Sequence, residues 1–135
     1  MEELTYSSIY QSTDDIKIED QVKIALSEIT KSSNILGIYS MNARAIYFFP
    51  VISDVYQLSI QIFPLTPEIV AKIMTKVSEF STKVIYSTGL CLVENRCFWE
   101  GFLQEKDLTK NIDEIRSILE SIAEVKGISI ERVTK

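Results

Sequence analysis

Histidine is absent from this 135-residue chain, and with it the side chain that most often serves as general base at neutral pH. Ser-His-Asp and Cys-His catalysis are thereby excluded, as is any zinc site that needs an imidazole. Cysteine occurs twice, at Cys91 and Cys97, too few for a four-cysteine metal site or for a disulfide framework. The four glycines, Gly37, Gly89, Gly101 and Gly127, stand far apart, so neither a phosphate-binding loop nor a dinucleotide fingerprint exists. No metal and no cofactor is expected, and an enzyme is the weaker expectation.

Positive charge is also scarce. Fourteen Lys and Arg, never three in a row, face nineteen Asp and Glu, for a net charge of −5. A surface that tracks phosphates needs a basic stripe, so a nucleic-acid partner is disfavoured. Long apolar runs are missing too: a stretch such as Ala45 to Ile52 falls far short of the roughly 20 residues of a membrane helix. Met1-Glu2-Glu3 lacks the basic start of a leader peptide. The expectation is a cytoplasmic protein with reduced thiols and no membrane partner.

What the chain does have is 46% hydrophobic residues, enough for the core of one domain spanning residues 1–135. Twenty isoleucines and a single tryptophan, Trp99, point to an AT-rich, thermophile-like genome. Residues 3–11 are rich in β-branched and aromatic types and predict a strand. Ser12-Thr13-Asp14-Asp15 starts a helix whose apolar stripe is Ile18, Val22, Ala25, Leu26 and Ile29. Ile35 to Tyr39 and Ala45 to Phe49 suit a hairpin closed by Pro50.

From Tyr56 the pattern is cleaner. Tyr56, Leu58, Ile60 and Ile62 alternate with Gln57, Ser59 and Gln61, which predicts a strand with one buried face. Thr66-Pro67 supplies an N-cap and a first-turn proline for a helix with the stripe Ile69, Val70, Ile73, Met74, Val77 and Phe80. Two strands follow, Val84 to Val93 and Arg96 to Gln104. Asn111 and Glu114 then make a capping-box-like start to a helix with the stripe Ile112, Ile115, Ile118, Leu119 and Ile122. Gly127 stands where a left-handed helix end is expected, and Ile128 begins a last strand.

The expected fold is therefore α+β, a two-layer sandwich. Residues 56–135 have the ferredoxin-like order β-α-β-β-α-β, with both helices on one sheet face, preceded by an extra β-α-β-β segment in residues 1–55. A shift of 51 positions lays Ile18 on Ile69, Val22 on Ile73, Leu26 on Val77 and Phe48 on Trp99. A duplicated unit would produce this match, and so would two unrelated amphipathic helices.

Few side chains suggest chemistry. Asp14, Asp15, Glu19 and Asp20 could converge on a hard cation, but acids at a helix N-terminus also simply complement its dipole, which is the reading preferred. Cys91 and Cys97 come directly opposite each other across a three-residue loop and on opposite faces across a two-residue turn. A buried reduced pair is expected, with a disulfide as the alternative. The strand from Arg96 is apolar on both sides: Cys97, Trp99, Gly101 and Leu103 on one, Phe98 and Phe102 with Arg96, Glu100 and Gln104 on the other. Helices cover only one sheet face, so the other needs a second subunit, the N-terminal strands or a ligand.

Ser87-Thr88-Gly89 and Val125-Lys126-Gly127-Ile128, in this order of elements, resemble the C-terminal effector domain of Lrp/AsnC-type regulators. Leu92 stands where that family carries an acidic residue. The resemblance implies a ferredoxin-like module of a family that dimerises through its sheets and in some members binds amino acids between subunits. The 51-residue shift resembles the duplicated β-α-β-β units of GyrI-like small-molecule-binding domains. The functional expectation is a non-catalytic sensing or assembly module that acts as a homo-oligomer through a protein partner or small effector. An RNA-binding module on an RRM-like sheet is the alternative, because Tyr86, Phe98 and Phe102 offer stacking surfaces. The candidate interface or ligand-binding residues are Tyr86, Gly89, Phe98, Trp99 and Phe102.

Overall fold

The computed structural model describes residues 20, 24, 34–40, 43–92 and 96–134. The strand expected over residues 3–11, most of the first helix, and Asp14, Asp15 and Glu19 lie outside them. Asp20 and Ile24 are both helical and exposed.

The first described pair of strands, β1 (Asn34–Ser40) and β2 (Ala45–Val51), forms an antiparallel hairpin with Tyr39 opposite Ile46 and Ile35 opposite Pro50. Arg44, in the turn, has a φ of 52°, the left-handed region that favours glycine. Pro50 does not close the hairpin from outside, as the sequence suggests, but lies within β2. Among the described residues no strand pairs with the outer edge of β2, and at such an edge a missing N–H costs no ladder bond.

The remaining elements are β3 (Val55–Ile62), α1 (Pro67–Phe80), β4 (Tyr86–Cys91), β5 (Cys97–Gln104), a 3₁₀ turn (Glu105–Asp107), α2 (Ile112–Glu120) and β6 (Val125–Arg132). The strands form one four-stranded sheet in the order β4-β5-β3-β6, and each neighbouring pair is antiparallel. The architecture is α+β, compatible with a two-layer sandwich.

Period-two alternation on β3 decides where the main core sits. Leu58, Ile60 and Ile62 point to the helices and meet Ile73, Val77 and Phe80 of α1, Ile115 and Leu119 of α2, Ile122, and Trp99 and Leu103 of β5. Each such side chain, fully buried, contributes about 2 kcal/mol. Met74, expected on the buried stripe of α1, is 36% exposed. The contact follows Ile73, Val77 and Phe80, a narrower line at steps of four and three residues.

Both helix starts have the expected chemistry. Thr66 Oγ1 accepts a hydrogen bond from the Ile69 N–H at 3.3 Å, and Asn111 Oδ1 accepts one from the Glu114 N–H at 2.9 Å. The end of α2 does not follow expectation. No described glycine has a positive φ, and Gly127 lies inside β6, opposite Gln61. Bonds from the Ile122 N–H to the Leu119 carbonyl and from the Val125 N–H to the Ile122 carbonyl tighten the last turn, so no left-handed residue is required.

The other sheet face carries a second, smaller core. Val55 and Phe102 pack with Leu36, Ile38 and Val51 of the hairpin, and Tyr47, Phe49, Ile85 and Tyr86 surround them. The hairpin is thus a cover laid on the sheet rather than further strands of it. Its join to β3 is held by Gln104, 6% exposed, whose Oε1 accepts from the Ile52 N–H at 2.9 Å and the Ser53 N–H at 3.3 Å. The Glu105 N–H donates to the Asp54 carbonyl at 2.8 Å, and Arg132 pairs with the Asp54 carboxylate at 2.8 Å. Among the described residues no helix is long and apolar enough to cross a membrane.

Candidate functional site

Alternation on β5 sends Trp99, Gly101 and Leu103 toward the helices and Phe98, Glu100 and Phe102 toward the hairpin. The hairpin covers that second face only in part. Phe102 lies at the edge of the small core, whereas Phe98 and Glu100 border an open cleft of about 460 Å³ between the sheet and β1. A volume of this size lies within the roughly 300–1,000 Å³ usual for small-molecule sites.

Strand register organises the floor of the cleft. Glu100 stands between Ser59 of β3 and Thr88 of β4, a polar row across three strands. On one side Phe102 lies opposite Tyr86, and on the other Phe98 lies opposite Leu90. Ile38, Tyr39 and Ser40 of β1 form the far wall, and Leu92 extends the apolar end. The site is a polar strip bordered by aromatic and aliphatic side chains.

Tyr86 anchors the aromatic border. Its ring centroid lies 4.9 Å from Tyr47, 6.0 Å from Phe49 and 6.5 Å from Phe102, all at tilted angles. Loss of hydration raises the phenol's pKa above its ordinary value of 10.0, and the charge and hydrogen bond of Tyr47 raise it further, against a lowering contact with Thr88.

Of the residues singled out from the sequence, Tyr86, Phe98 and Phe102 come together here. Trp99 and Gly89, which pair across β5 and β4, stand on the helix-facing side. Trp99 is 2% exposed in the main core, and Gly89 lies near Leu65. Alternation alone separates the two groups. Glu100 already shared the strand face of Phe98 and Phe102, but the hydroxyls of Ser59 and Thr88 join it only through cross-strand register, which no single strand reveals.

Cys91 and Cys97 are directly opposite each other across β4 and β5, the register of the longer loop, and are joined by a disulfide. The expected reduced pair is therefore corrected: Cys97 is buried, Cys91 is exposed, and a covalent bond links them. Residues 93–95 of the loop lie outside the described residues. Among the described residues no three His, Cys, Asp or Glu side chains are grouped to hold a metal ion.

No family model matches the chain, and no curated protein or solved structure matches it either.

Proposed function

We propose that this protein is a non-catalytic sensing module that binds a small, largely apolar effector in the cleft between β1 and the open sheet face. The observation that carries this reading is the partial cover over the second face. The hairpin seals Phe102 and Val55 but leaves Phe98, Leu90 and the Ser59–Glu100–Thr88 row facing space. Apolar walls supply affinity, and a few convergent polar groups supply orientation.

The strand order β4-β5-β3-β6 with α1 and α2 on one face supports a ferredoxin-like plan for residues 55–132. The same reading takes in the resemblance to the effector domains of Lrp/AsnC-type regulators. The 51-residue shift supports a duplicated unit, because it carries β1 onto residues 85–91 and β2 onto residues 96–102, close to β4 and β5. Assembly into a homo-oligomer is supported by Tyr39 and Ile46, cross-strand partners on the hairpin that are 70% and 44% exposed. RNA binding on the sheet has less support, since β1 overhangs the aromatic residues and Glu100 is the charged residue among them.

The test is a fragment titration followed by heteronuclear NMR on the full chain. Shifts clustered on β1, β4 and β5 are expected for small aromatic and branched aliphatic compounds. Shifts confined to other surfaces, or none, would overturn the reading.

A further inference from the structure

We infer that the effector is an organic cation, a protonated amine on an aromatic or aliphatic body. The inference rests on the cleft being the effector site and goes further, to the chemical class of what it takes.

Among the described residues Glu100 is the charged side chain in the wall of the cleft, and no described Lys or Arg lines it. Glu100 is half-buried and forms none of the ion pairs found among the described residues. Partial burial of a carboxylate costs hydration free energy that a cation brought by a ligand would offset. An anion would meet Glu100 with no compensating base among the described residues, and a neutral donor would gain a hydrogen bond to the carboxylate without neutralising its charge.

The neighbours of Glu100 fit an ammonium head. Ser59 and Thr88 flank it on either side on the neighbouring strands, each about 4.8 Å away across the sheet, so a head group paired with Glu100 has one hydroxyl within reach on whichever side it leans. An ammonium has three N–H donors and no acceptor, so it can pair with the carboxylate and donate to one flanking hydroxyl at the same time. Phe98 and Phe102 stand two residues to either side on β5. Phe102 is sealed in the small core, whereas Phe98, half-buried in the cleft wall, offers an aromatic surface to the apolar body behind the head group.

Three isosteric probes separate charge from shape: tryptamine, the neutral alcohol tryptophol and the anion indolepropionate, each titrated into the full chain at neutral pH by NMR. Tryptamine is expected to bind about tenfold more tightly than tryptophol, as one charge-assisted contact would give, with indolepropionate weakest. Glu100→Gln should erase the advantage of the amine while leaving tryptophol within about twofold. Thr88→Val should reduce the amine's affinity about threefold. Equal binding of amine and alcohol, or a preference that survives Glu100→Gln, would overturn the cation assignment and leave the cleft as an effector site. If no probe perturbs β1, β4 and β5, the cleft reading fails and this inference fails with it.

Discussion

A methyl group at position 101 would run into the ring of Trp99, with Cζ3 at 2.8 Å from the new carbon. Trp99 is held in the main core and has no room to withdraw. Gly101→Ala should therefore lower stability by about 1–3 kcal/mol through overpacking, read as a fall in the thermal midpoint. At this scale the sequence was informative wherever a side chain's role depends on its own strand. The alternation around Phe98 to Leu103 placed each β5 residue on its correct face. It could not show that one face is sealed around Trp99 while the other opens at Glu100, because that depends on residues more than fifty positions away in β1.

Helix starts were legible because capping is local: Thr66 and Asn111 act on N–H groups three residues ahead. The end of α2 was not. Its turn is closed by short-range bonds and by contacts from elsewhere, including the Phe63 N–H, which donates to the Glu124 carbonyl at 3.0 Å. Glu124 also ties this junction to α1 through Lys72, at 3.2 Å. A hydrogen bond from its own backbone holds the Glu124 carboxyl below its ordinary value of 4.5, and Lys72 adds to the lowering. A carboxyl with a lowered folded pKa favours the folded state above its unfolded value and loses that contribution as pH falls through the folded value. Wild type should therefore be more stable than Glu124→Gln at neutral pH, with the gap closing on acidification below about 4.5, as followed by urea midpoints. A constant gap across that range would assign the effect to packing instead.

At the scale of the whole molecule, the described residues form two cores on opposite faces of one sheet, and Gln104 stands at the joint between them. Its carboxamide caps the Ile52 and Ser53 N–H groups, which lead from the hairpin into β3. Gln104→Met, similar in length but without the acceptor, should cost about 2 kcal/mol, and amide exchange in β1 and β2 should rise more than in α1 or α2. A uniform rise would mean that the cover and the sheet open together. The α+β class and the order of elements from β3 onward were legible in the sequence, because each element carries its own period. The placing of the hairpin on the open face was not, since an apolar pair of strands fits an edge and a face equally well. The bond between Cys91 and Cys97 has one more consequence at this scale. It closes a covalent ring around the tip of the β4–β5 hairpin, across a separation of six residues. A peptide bond cut anywhere inside that ring leaves a nicked protein whose two fragments stay on one molecule, so β4 remains beside the cleft after the chain itself has been broken.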